Sequence, residues 1–123
     1  ANFAGNYALG KDIDASSTSS WNSGTGFRPI AYSGSGFSGT FQGLGHSITG
    51  LTVNPSGLTS VGMFASTTAA ASISNVGLVG GTTASANATN IGGLVGLNEG
   101  SINKSFNTGT VNATNSAVVS ATI

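Results

Sequence analysis

Short apolar clusters recur along this chain at a long and nearly regular period. Three of them begin with an isoleucine in a Ser-Ile setting, at Ile48, Ile73 and Ile102. A second series repeats at a similar interval, with Gly62 and Gly93 at equivalent positions. An internal period of this length, built from short apolar stretches and turn residues, is typical of a solenoid, in which each repeat forms one coil.

The clusters predict strands rather than helices. Glycine interrupts almost every ten-residue window, β-branched residues fill the clusters, and apolar spacing of three and four residues is sustained nowhere. We therefore expect an all-β chain, a parallel β-helix of about four to five turns that forms a single domain over residues 1–123. The stretch without a clean strand signal, near residues 15–36, is predicted to leave the coil as a lateral loop. The candidate corner residues are Asn75, Asn98, Asn103 and Asn107.

The composition excludes several classes of partner. Lys, Arg, Asp and Glu make up 5% of the chain and the net charge is zero, whereas Gly, Ser, Thr and Asn account for 66 of 123 residues. Because the few cations are scattered, nucleic acid and anionic membranes are poor partners. No apolar run approaches the roughly 18 residues that a membrane span needs. A hydrophobic content of 38% without net charge also argues against disorder.

Two long strings resemble known segments of secreted bacterial proteins. The first runs from Tyr7-Ala-Leu9 through Trp21 and Phe37-Ser-Gly-Thr-Phe41 to the cluster at 48–53, and it resembles filamentous-haemagglutinin-like adhesins of the two-partner secretion route. The second, at 91–111, resembles the GLUG motif of such exoproteins and of some surface peptidases. The resemblance implies a right-handed β-helix, a secreted or bacterial cell-surface location, and a role as shaft or adhesive segment. It carries over no catalytic residues.

Few residues could carry chemistry. Asp12 and Asp14 form the only close pair of carboxylates and are weak candidates for a cation site or a glycosidase pair, but a structural or solvent-facing role is the stronger interpretation. His46 precedes Ser47, yet adjacent residues on a strand face opposite sides, so a catalytic dyad from these two is geometrically poor. We predict no catalytic residue, no bound metal and no cofactor.

Aromatic residues concentrate in the first half of the chain, where all but Phe106 precede residue 65. Trp21 and Tyr32 lie within the predicted lateral loop and would form a contact platform for a host glycan or a protein, because a rigid aromatic face provides contact area at little entropic cost. The alternative is that both rings fold back and cover the side of the coil.

The C-terminal sequence predicts a strand that nothing caps. Ala117, Val118, Val119 and Ile123 belong to an uncharged stretch without proline, and an open strand edge invites another chain. The expected partners are further β-helix turns of a longer parent, or identical copies that add strands. We therefore predict a non-enzymatic extracellular module of an adhesin or fibre. The alternatives are a self-assembling filament subunit and a carbohydrate-active β-helix of the pectin-lyase-like type.

Overall fold

The computed structural model describes residues 3–113 and the backbone of residues 120–122, and it winds them into about four coils of short strands. The first coil contains β1 (Asn6–Ala8), β2 (Ile13–Asp14) and a 3₁₀ segment (Ser16–Gly24). The second contains β3 (Thr40–Gln42), β4 (Ser47–Thr49), β5 (Thr52–Val53), β6 (Ser60–Val61) and β7 (Phe64–Thr67).

The third and fourth coils repeat the path of the second. The third contains β8 (Ser72–Ser74), β9 (Gly77–Val79), β10 (Thr82–Ser85), β11 (Asn90–Gly92) and β12 (Val95–Asn98). The fourth contains β13 (Ser101–Asn103), β14 (Phe106–Asn107), β15 (Thr110–Ala113) and β16 (Ser120–Thr122).

Every strand pairs in parallel with the equivalent strand of a neighbouring coil. The sheets have the orders β1-β3-β8-β13, β2-β4-β9-β14, β5-β10-β15, β6-β11-β16 and β7-β12. In the first of them Tyr7, Phe41, Ile73 and Ile102 are stacked partners, so each turn is slightly shorter than the one before it. The expected all-β parallel solenoid is confirmed, with about four turns.

The repeat assignment from the sequence is correct in part. The series of Gly62 and Gly93 is confirmed, because β7 and β12 pair with Phe64 opposite Val95. The isoleucine series is wrong at its first member, since Ile73 pairs with Ile102 whereas Ile48 pairs with Leu78 in a different sheet. Two sheets of the same coil both place an apolar residue inward, and similar clusters therefore occur more than once per turn.

One corner of the coil uses the same backbone conformation in three successive turns. Leu44, Asn75 and Lys104 have φ values of 57°, 56° and 51°, and each lies in the connection between the first and second sheets. Asparagine adopts this left-handed region more readily than most residues, which explains why Asn75 marks the corner in the sequence. The corner prediction is correct for Asn75. The other three candidates are the last residues of strands β12, β13 and β14, namely Asn98, Asn103 and Asn107, and the side chains of Asn98 and Asn107 accept hydrogen bonds from turn amides two residues later.

The core is a column of apolar side chains inside the coil. Its largest fully buried members are Phe37, Phe64, Ile73, Ile91 and Leu94. Burial weakens at the fourth coil, where Phe106 and Val111 are exposed, because no further turn covers them among the described residues. The middle coils therefore supply most of the hydrophobic stabilisation.

The segment near residues 15–36 is irregular, as expected, but it stays attached to the coil. Its first half is the 3₁₀ segment, which is interrupted at Trp21–Ser23 by non-helical backbone angles. Its second half runs along the second coil, with isolated bridges from Gly26 to Val53 and from Ile30 to Phe64. The amides of Phe27 and Ile30 donate hydrogen bonds to carbonyl groups of the second coil, so the segment completes the first turn instead of leaving it laterally.

Candidate functional site

A cavity of about 560 Å³ opens at the N-terminal end of the coil. We call it the mouth cavity. It lies between β1 and the segment that returns along residues 28–37, and side chains of the second coil form its floor. Its lining is Phe3, Tyr7, Ala8, Arg28, Pro29, Ile30, Ala31, Tyr32, Phe37, Phe41 and Phe64. A volume of this size lies within the range of small-molecule sites, about 300–1,000 Å³.

The mouth cavity follows from the uneven first turn. The first coil has regular strands only at β1 and β2, and the rest of its path is the 3₁₀ segment and single bridges. Below it, the rings of Phe37 and Phe41 pack on Phe64 with centroid distances of 5.0 and 5.4 Å. Phe37 and Phe64 are buried beneath the cavity, and Phe41 is only partly buried.

One positive charge lies at the rim of the mouth cavity. The Cζ atom of Arg28 is 4.8 Å from the centroid of the Tyr32 ring, and Nη1 of the same guanidinium donates a hydrogen bond of 3.2 Å to the Tyr32 hydroxyl. Among the described residues no carboxylate forms an ion pair with Arg28. The guanidinium is therefore held in place by a neutral ring, and its charge is not compensated there.

The two residues predicted as a contact platform line different depressions. Trp21 and Tyr32 are 48% and 43% exposed, so neither is folded away. Trp21 borders a second cavity of about 270 Å³, whereas Tyr32 borders the mouth cavity. Ile30 and Phe41 separate the two spaces, because both residues line each of them. Binding at Trp21 and Tyr32 stays a prediction, and the structure brings Arg28 rather than Trp21 next to Tyr32.

The two carboxylates predicted as weak cation ligands cap backbone amides. Asp12 Oδ1 accepts a hydrogen bond of 3.0 Å from the Ser47 amide and lies 3.1 Å from His46 Nδ1. Asp14 Oδ1 accepts a 3.0 Å hydrogen bond from the Ser16 amide. Within the described ranges, no group of three or more His, Cys, Asp or Glu side chains could hold a metal ion.

Both carboxyl groups are more acidic than usual. The hydrogen bond from the Ser47 amide, and after it the contact with His46, lowers the pKa of Asp12 below 3.8. Hydrogen bonds from Ser16 lower the pKa of Asp14 in the same way. Because both groups are exposed and already occupied by local donors, their geometry fits a role in tying the first coil together and to the second. Asp12 reaches across one full turn to His46 and Ser47, a contact that the sequence alone did not reveal.

The predicted assembly residues Ala117, Val118, Val119 and Ile123 lie outside the described residues. The neighbouring strand β16 is described, and its backbone pairs in parallel with β11. The predicted strand signal near the C-terminus is therefore present in the form of β16.

The sequence analysis did not identify Arg28 as a residue of the site. On sequence grounds Arg28 is only one of a few scattered cations, although it directly follows Phe27 and shortly precedes Tyr32. The concentration of aromatic residues before residue 65 was the available signal. It could have drawn attention to Lys11 and Arg28, the two cations among them, but not to the cavity, whose shape depends on how the first turn closes.

The fold and these contacts define a β-solenoid module. Comparison with known proteins agrees with this class. Residues 87–112 match the family described as the GLUG motif, and they run from the loop before β11 into β15. The predicted GLUG resemblance at 91–111 is thereby confirmed, whereas the two-partner secretion assignment is not.

A curated protein is similar over a larger part of the chain. Halomucin from Haloquadratum walsbyi is 45% identical over 69 residues, which cover 54% of this chain and 1% of halomucin. No solved structure matches. No helix in the described part of the chain is long and apolar enough to cross a membrane. The GLUG match and the halomucin similarity point to a surface-protein module and suggest an extracellular or cell-surface location.

Proposed function

We propose that this chain is a non-catalytic structural module of a secreted or cell-surface adhesin or fibre, in which its coils form part of a longer shaft. The observation that carries the proposal is the in-register parallel stacking of four coils, because each coil contacts only its neighbours and such a structure extends by adding turns. The halomucin similarity supports it, since the matched part is 1% of a very long protein.

The composition of the outer wall supports the same role. The coil is covered by Ser, Thr, Asn and Gly with very few charges, so its surface lacks the electrostatic features that steer charged substrates. Asp12 and Asp14, the only close carboxylate pair in the sequence, are engaged with backbone amides. A host glycan or a host protein is the proposed partner of an adhesive segment, and further coils are the proposed neighbours along the shaft.

A self-assembling filament subunit is the second candidate, and one observation favours it. In the fourth coil β13, β14 and β15 each pair with a strand of the third coil and have no second partner among the described strands. An open strand edge can accept another chain by parallel or antiparallel addition.

Electron microscopy and sedimentation of the purified chain at micromolar concentrations separate these candidates. A shaft module gives isolated particles whose sedimentation does not depend on concentration, whereas a filament subunit gives rods that lengthen with concentration. A screen against polysaccharides tests the non-catalytic role. Cleavage that is lost in an Asp12→Ala, Asp14→Ala double variant would contradict it and would support the pectin-lyase-like alternative.

The modular character has a test of its own. Deleting residues 72–100 joins the second coil to the fourth in register, because Ser72 and Ser101 are stacked partners. We expect this one-turn deletion to fold with an unchanged strand signature in circular dichroism and a lower unfolding midpoint. Deleting residues 72–85 is the matched control, since it removes about half a turn and places strands opposite corners. Equal behaviour of the two deletions would argue against a structure that is built turn by turn.

A further inference from the structure

The mouth cavity combines an apolar body with one cation at its rim. Its lining is almost entirely aromatic and aliphatic, and Arg28 is the charged residue in it. A ligand that buries a ring or a branched alkyl chain in this space would gain hydrophobic free energy in proportion to the area it covers. The Tyr7 ring, which is exposed, and the half-buried Phe41 ring would add aromatic contacts to such a ligand.

The guanidinium is arranged to receive an anion. Its contact with the Tyr32 ring positions it at the rim of the cavity. A guanidinium has five N–H donors, and the hydrogen bond to the Tyr32 hydroxyl uses one of them. The remaining donors match the planar, two-oxygen geometry of a carboxylate, which accepts parallel hydrogen bonds from arginine. Because no carboxylate of the described residues pairs with Arg28, an incoming acid would meet an uncompensated charge.

We propose that the mouth cavity binds a free small-molecule carboxylate with an aromatic or branched alkyl body, the body against the accessible side chains of Tyr7, Ile30 and Phe41 and the carboxylate on Arg28. This site goes beyond the structural role proposed above and does not depend on it.

Two matched probes test the proposal, 4-phenylbutyrate and 4-phenyl-1-butanol, which share the body and differ in charge. Titration calorimetry and amide chemical-shift perturbation of the full chain at millimolar probe concentrations measure the two dissociation constants. We expect 4-phenylbutyrate to bind at one site about tenfold or more tightly than the alcohol, in line with the strength of hydrogen bonds to charged groups. The shifted amides should belong to residues 28–37 and to β1.

Three variants locate the interaction. Arg28→Gln should remove the preference for the acid, so that both probes bind with the weaker constant. Lys11→Gln is the control, because it removes one cation of the first coil that does not line the cavity, and it should change neither constant by more than about twofold. Tyr7→Ala removes an exposed ring from the lining and should weaken the binding of both probes.

Several results would overturn the proposal. They are the absence of saturable binding by 4-phenylbutyrate, equal affinity for the acid and the alcohol, an Arg28→Gln variant that keeps the preference, and unchanged affinity of both probes in Tyr7→Ala. Self-association that covers the cavity with a second copy would also overturn it. None of these outcomes affects the shaft proposal, whose tests measure particle shape and tolerance to loss of one turn.

Discussion

Truncation of Phe64 tests whether the coil interior is packed as described. Its side chain is fully buried, with 0% exposure, and it contacts the rings of both Phe37 and Phe41. Removal of a buried phenylalanine side chain costs about 3–5 kcal/mol, and each aromatic pair contributes about 0.5–1.5 kcal/mol beyond the buried area. We therefore place Phe64→Ala at the upper end of the range, at about 5 kcal/mol of unfolding free energy.

The matched control is Phe106→Ala, which deletes the same atoms in the fourth coil. Phe106 is 50% exposed, and a fully buried phenylalanine contributes about 1.5–3 kcal/mol, so we expect a loss of about 1 kcal/mol. Urea unfolding followed by far-ultraviolet circular dichroism gives both values from the shift of the midpoint at constant slope. The comparison uses one residue type and one assay, so it reports the difference in packing between the two coils.

A second variant keeps the test decisive if Phe64→Ala leaves too little folded protein. Phe64→Leu retains most of the apolar volume and removes both ring pairs, so we expect a loss of about 1–2 kcal/mol. Equal losses for Phe64→Ala and Phe106→Ala would refute the reasoning, because they would mean that the interior of the second coil is no better packed than the last one. A Phe64→Leu variant as stable as the parent would refute the contribution of the aromatic pairs.

Three further predictions concern the contacts that hold successive coils together. Gly39→Ala should lower the free energy of unfolding by about 1–3 kcal/mol, because the new Cβ would overlap the Gly5 carbonyl oxygen and the backbone cannot move aside at low cost. Chemical denaturation measures this loss, and a loss below about 0.5 kcal/mol would contradict the prediction. Thr67→Val should cost about 1–3 kcal/mol of unfolding free energy, because the buried hydroxyl accepts hydrogen bonds from two backbone amides of the next coil, and an unchanged urea midpoint would count against this role. The folded-state pKa of Asp12 is lowered, so its stabilising contact with the Ser47 amide is fully present above the ordinary pKa of 3.8 and is lost as the pH falls through the lower folded value. The difference in unfolding midpoint between the wild type and Asp12→Asn should therefore shrink in acid. A difference that grows in acid would contradict this sign.

The local character of the chain could be predicted without coordinates. Glycines interrupt the clusters and β-branched residues fill them, which excludes long helices and favours short strands in a repeating coil. Asn75 is predictable as a corner because its side chain tolerates the left-handed backbone region. The GLUG segment is recognisable at nearly the boundaries that the family match gives. These features depend on residue types close together in the chain, so sequence carries them directly.

The registry of the coils was decided by the tertiary structure. Successive turns grow shorter along the chain, which places Ile73 on Phe41 and not on Ile48, and no single period expresses that drift. The same registry brings Asp12 to His46, and the return of the first turn along the second brings Arg28 onto Tyr32 and leaves the mouth cavity open. Composition and spacing thus determined that the chain would coil, whereas the site depends on contacts between distant residues, whose distances are set by the length of each connection.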